Sequence, residues 1–120
     1  MEEQAFVIEA DQLRPGVPLV RARGRIDPAA ATTLGSLVHQ CFDRSPWAVV
    51  LDLSGVSELR AGAVQSFVDL AYRAGTADIG LYVVTGGGAV DQVLSGGEVD
   101  GLFDIHHSIH SADRAMGGRT

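Results

Sequence analysis

The 120-residue chain contains no lysine: all nine of its basic residues are arginine, which reads mainly as the codon bias of a GC-rich genome. Against 15 acidic residues they leave a formal net charge of −6. That balance excludes a broad basic surface of the kind that holds nucleic acid or an anionic membrane. Cysteine is reduced to Cys41, so no internal disulfide can form. With no paired base in its pattern, Cys41 reads as a small buried hydrophobe and not as a catalytic thiol. Long apolar runs are also missing. The longest, Trp47 to Leu51, is far too short to span a bilayer. The opening Met1-Glu2-Glu3-Gln4 puts acid where a signal peptide carries base, and no apolar segment follows. The expected location is the cytoplasm, with no direct membrane insertion.

What is present is a globular composition, 46% apolar and 20% charged. A chain of this length buries roughly two-thirds of its unfolded surface, enough for one core. One domain over residues 1–120 is therefore expected.

Phe6 to Ile8 and Leu19 to Ile26 read as two early strands, joined by a turn at Arg14-Pro-Gly-Val-Pro18. In the second, Val20, Ala22, Gly24 and Ile26 alternate with Arg21, Arg23 and Arg25, the period of a half-exposed strand. Asp27-Pro28 supplies an N-cap residue and a proline at the first helical position. Leu34, Leu37, Val38, Cys41 and Phe42 then form a helical stripe, and Ser45-Pro46 breaks it. Trp47 to Leu53 is almost continuously apolar, as a central strand covered on both faces should be. A second helix is predicted to carry Val64, Phe67, Val68 and Ala71 inward and to end at Gly75. A fourth strand follows over Ile79 to Val84, then the Gly86-Gly-Gly88 loop and a short helix with Val90, Val93 and Leu94, stopped by Gly96-Gly97. A short strand near Phe103 to Ile105 leads to a helix around Ser111 to Met116. Alternating strands and helices after Asp27 imply parallel pairing, with the first two strands as a hairpin. The expected fold class is α/β: a small mixed β-sheet covered by helices.

Chemistry-bearing patterns are sparse. His106, His107 and His110 are the only cluster of metal-ligand type, but no acid or cysteine sits at metal spacing, so no metal and no cofactor are expected. Gly86-Gly-Gly88 lies between a strand and a helix, where backbone N–H groups can cradle phosphate. No Lys-Ser/Thr follows and the third glycine of the dinucleotide fingerprint is missing, so a flexible connection is the better reading. Ser54, Ser57 and Ser66 have no context for a nucleophile, and Asp52 reads as the polar end of the central strand. The chain is not expected to be an enzyme.

The stretch 49–64, Val-Val-Leu-Asp-Leu-Ser-Gly-Val-Ser-Glu-Leu-Arg-Ala-Gly-Ala-Val, resembles the core of the STAS domain, named for sulfate transporters and anti-sigma factor antagonists. Gly24-Arg-Ile-Asp27 with Ala31 and Leu34 is similar to the family's Gly-Glu-Leu-Asp turn into its first helix. Ala89-Val90, Val93-Leu94 and Val99-Asp-Gly-Leu-Phe103 are similar to its tail. The resemblance implies a regulatory binding module of the anti-sigma antagonist kind, docking through the start of the second helix. The implied partner is an anti-sigma factor with a kinase-like domain, and a dimer stays open. Many relatives carry Asp-Ser-Ser-Gly-Leu at that helix start, the first serine being the regulatory phosphosite. Here the pentad falls on Arg60, Ala61, Gly62, Ala63 and Val64, so Ala61 offers no hydroxyl for phosphate. The expected partner-binding residues are Arg25, Asp27, Ser57, Glu58, Arg60, Ala61, Gly62, Val64 and Gln65. A cytoplasmic STAS subunit of a membrane transport complex and a small-ligand or nucleotide sensor using the Gly86 loop are the alternatives.

Overall fold

A computed structural model describes residues 6–96 and 101–117. The chain begins with an antiparallel hairpin, β1 (Phe6–Arg14) and β2 (Val17–Ile26), turning at Pro15-Gly16. Gly16 has φ +81°, and a Cβ there would lie 3.1 Å from Trp47 Nε1, so the turn needs glycine on both counts. The helix α1 (Pro28–Phe42) follows, then β3 (Ala48–Leu59), a single 3-10 turn (Ala61–Ala63), α2 (Val64–Thr76), β4 (Gly80–Thr85), α3 (Gly88–Ser95), β5 (Asp104–His106) and α4 (Ile109–Met116). The sheet runs β1-β2-β3-β4-β5, with β2 to β5 parallel. Gly97, Val99 and Asp100, part of the helix stop and tail pattern read from the sequence, lie outside the described residues.

Pleating divides the strands between two unequal cores. On one face Val20, Ala22, Ile26, Val49, Leu51 and Leu53 meet Leu34, Val38 and Phe42 of α1, Phe67 and Leu70 of α2, and Val90 and Leu94 of α3. On the other, Val17, Leu19, Ala48, Val50 and Val84 pack against Ala112 and Met116 of α4. Val50 and Phe67, at 0% and 2% exposure, sit in opposite cores. The predicted central strand and the α/β architecture therefore hold.

Several boundaries move. The strand β1 extends six residues beyond Ile8, because pairing with β2 satisfies its backbone through Arg14. The strand β3 does not end at Leu53 but runs on to Leu59. Its register against β2 slips between Arg21 and Arg23 and again between Gly24 and Arg25. Bulges of this kind break the two-residue period, so Leu53, Val56 and Leu59 are the buried positions at its far end. In α2 the fully buried residues are Phe67, Leu70 and Ala74. Val64, Val68 and Ala71, predicted to face inward, are only half-buried. The helix also passes Gly75 to end at Thr76.

Candidate functional site

The two helix starts at the end of β2 and the end of β3 lie side by side. Asp27 caps α1 conventionally: its extended backbone turns the chain, and its Oδ1 accepts from Ala30 N at 2.8 Å. Arg60 follows β3, and its N–H donates to Ile26 O at 3.0 Å, which ties the second start to the first. Ala63 N then donates to Arg60 O at 2.9 Å and closes the 3-10 turn. A Cβ on Gly62 would come within 3.1 Å of Pro28 Cγ, so the turn packs directly on the first turn of α1. Ala63 is buried beneath it, in the cap position of α2, and offers no side-chain acceptor.

Most of the sequence-predicted residues share this edge. Arg25 is paired in register with Glu58, and both are exposed. Asp27, Ser57, Arg60, Gly62 and Gln65 are exposed, and Val64 is half-buried. The side chain of Ala61 lies outside the described residues. Arg60 does not stand alone, because its Nε lies 3.5 Å from Glu58 Oε2 with both side chains about half exposed. Such a pair contributes roughly 0–1 kcal/mol. It offsets the arginine's unfavourable place at the positive end of the α2 dipole while leaving the guanidinium accessible. Gln65 Nε2 donates to Asp69 Oδ1 at 3.0 Å one turn along.

The glycine loop after β4 is held more firmly than its composition predicts. The buried Thr85 Oγ1 donates to Asp91 Oδ1 at 3.1 Å and accepts from Gly87 N at 3.3 Å. His107 Nε2 joins the same carboxylate oxygen at 3.1 Å, linking the loop to the segment after β5. The His106 side chain is 13% exposed, with Asp104 and Ser111 as neighbours. Among the described residues, no group of three His, Cys, Asp or Glu could hold a metal ion. Asp52, read from the sequence as a strand end, is a buried carboxylate inside β3. It meets Arg21 Nε at 3.1 Å and accepts from Ser54 N at 3.0 Å. The period of β2 predicts an outward arginine at 21, but its partner lies 31 residues on, beyond α1, and gives no local signal.

Among the described residues, no helix is long and apolar enough to cross a membrane. Solved structures with the same fold include an anti-sigma factor antagonist from Mycobacterium paratuberculosis, with TM-score 0.82 and 24% identity, covering 92% of each chain. The unphosphorylated form of the anti-sigma factor antagonist SpoIIAA aligns with TM-score 0.75 and 10% identity over 95% of this chain and 100% of its own. The phosphorylated form of the Bacillus cell fate determinant SpoIIAA gives 0.70 and 8% over 91% and 99%. No curated protein matches the sequence. The STAS domain model matches residues 10–112, and the chain belongs to the STAS domain family.

Proposed function

We propose that this STAS domain is a non-catalytic, protein-binding regulator of the anti-sigma factor antagonist type, acting in the cytoplasm. Its docking surface is the edge formed by Arg25, Asp27, Ser57, Glu58, Arg60, Ala61, Gly62, Val64 and Gln65. The partner is an anti-sigma factor with a kinase-like domain, and binding is not gated by phosphate at position 61. The observation that carries this reading is the uncapped α2 start: a half-exposed arginine at the positive end of the dipole, pinned against α1 by Gly62 and Ile26 O. Local rules of helix capping are broken there with no gain inside the folded chain, as happens where a surface serves a partner. The guanidinium is free to exchange its weak Glu58 contact for a partner carboxylate, in a stronger charge-assisted pair.

The test is affinity capture from the native host, followed by titration of the captured protein with wild type and with Arg60→Asp/Ala61→Ser. The expected partner carries a kinase-like domain, and the double substitution weakens it by more than about tenfold, roughly 1.4 kcal/mol. Capture of a permease or its ATPase would favour the transport-subunit reading instead. Unchanged affinity in the double variant would show that this edge is not the one used. The ligand-sensor reading gains little from the geometry, since Gly87 N–H is already engaged by Thr85.

A further inference from the structure

On the opposite face of the sheet, β5 and α4 bring together three side chains, Asp104 and His106 from the strand and Ser111 from the helix. His106 Nδ1 lies 2.9 Å from Ser111 Oγ. On its other side, His106 Nε2 lies 3.1 Å from Asp104 Oδ1. The Asp104 contact is off the ring's N–H axis, and Nε2 has no in-line acceptor although it is buried. A carboxylate beside Nε2 favours the tautomer that keeps the proton there. Nδ1 then presents a lone pair, and Ser111 O–H is the donor. A serine hydroxyl hydrogen-bonded to an imidazole nitrogen is the pairing of a nucleophile with its base, here with a carboxylate beside the far ring nitrogen.

The imidazole is held in place. The Tyr82 ring packs against it at 5.9 Å between centroids. The helix carrying Ser111 is fixed at its far end, where Arg14 reaches Gly117 O at 3.1 Å and Asp113 Oδ1 at 3.5 Å. Ser108 caps the helix by accepting from Ser111 N at 3.0 Å, which sets the rotation of the first turn. The serine itself is exposed. It opens onto a cleft of about 380 Å³ lined by His106, His110, Ser111, Arg114 and Ala115, large enough for a small molecule. Arg114 supplies a fixed positive charge to that cleft. Helix geometry leaves the N–H groups of Ile109 and His110 without intrahelical acceptors.

We propose that Ser111 is a covalent acyl-acceptor site for small activated acyl donors that carry a phosphate leaving group, the acyl phosphates. In the reaction, Ser111 Oγ attacks the acyl carbonyl and its proton passes to His106 Nδ1. The new Oγ–C bond forms, the C–O bond to phosphate breaks, and phosphate departs beside Arg114 carrying the proton released by His106. The products are an acyl-serine and free phosphate, with no change of oxidation state. Because this site and the α2 edge lie on different faces and share no residue, either proposal can fail without the other.

The experiment is incubation of the purified full chain with acetyl phosphate, followed by intact mass and peptide mapping. The absence of lysine removes the usual background of side-chain acetylation. One acetyl group is expected on Ser111, with the exposed Ser36, Ser54 and Ser57 unmodified. His106→Gln, which keeps a neutral side chain of similar reach, should slow the reaction at least about tenfold while the thermal midpoint shows the fold retained. Arg114→Ala should slow acetylation by acetyl phosphate but not by the neutral ester p-nitrophenyl acetate. No preference for Ser111 over the other serines, or an unchanged rate in His106→Gln, would overturn the proposal. Equal loss with both donors in Arg114→Ala would overturn the assignment of a phosphate-bearing donor.

Discussion

The helices α1 and α2 leave the same edge of the sheet, one strand apart, and their first turns are built on opposite principles. At α1 the cap is complete: Asp27 accepts the Ala30 N–H, Pro28 occupies a position where no donor is needed, and the helix begins at once. At α2 the chain passes through a 3-10 turn, the cap position is Ala63 with no side-chain bond, and the first charge is Arg60. Yet both helices bury large side chains in the same core. The difference teaches that packing fixes where α2 lies, while its first turn is free to carry residues chosen for something other than helix stability.

The largest effect expected is therefore from the packed side of α2. Phe67→Ala should cost about 3–5 kcal/mol, read as a shift in the denaturation midpoint. That loss should exceed the loss from any substitution at the first turn of either helix. A cost near 1 kcal/mol would mean that α2 is not anchored through Phe67, and the contrast between packing and capping would collapse. Next comes the cap of α1. Asp27→Ala removes the acceptor of the Ala30 N–H and should cost about 0.5–2 kcal/mol. In α2 the sign reverses. Arg60→Asp/Ala61→Ser adds an acid and a hydroxyl near an uncapped start, and should leave stability unchanged or raise it by up to about 2 kcal/mol. Destabilisation by the pair would show that the Arg60–Glu58 contact matters to the fold, and the asymmetry between the two helix starts would need another explanation.

How much of this could be read in the sequence follows the same division. Asp27-Pro28, the stripe from Leu34 to Phe42 and the Ser45-Pro46 stop are local signals, and α1 sits where they place it. For α2 the apolar residues Val64, Phe67, Val68, Leu70, Ala71 and Ala74 fill an arc wider than one packed face at 100° per residue. Periodicity alone favours the flank with Val64 and Val68. The core of α1 and β4 selects the flank with Leu70 and Ala74. The far half of β3 was hidden for a different reason: two register slips spoil alternation, and Ser54-Gly55 looks like a turn. The residues of the candidate edge come from the STAS resemblance; parallel pairing of β2 and β3, which sets Arg25 opposite Glu58, is what draws its two distant segments together. The pairing of His106 with Ser111 was not legible, because a strand must end and a helix begin before the two side chains meet. The same holds for Arg21 with Asp52, which only parallel pairing of β2 and β3 brings together.

The smallest effect tests whether α1 is as well packed at its far end as at its cap. Cys41 sits on the buried side of α1 at 5% exposure. Burial pushes its thiol above the ordinary value, and Arg44 pulls less strongly the other way. Since the thiolate is the reactive form, a folded Cys41 should react with an aromatic disulfide reagent at least about tenfold more slowly than the unfolded chain. The sign of the pH effect follows from linkage. Below the unfolded thiol's value, about 8.5, both states hold the proton and Cys41 contributes no pH dependence. Above it the unfolded chain releases the proton first while the folded chain retains it, so stability falls as pH rises. Denaturation midpoints at about pH 7 and pH 10 should therefore differ more for wild type than for Cys41→Ala. Equal differences, together with fast labelling of the folded chain, would mean that the last turn of α1 opens readily. The well-ordered helix of the pair would then be firm only at its capped end.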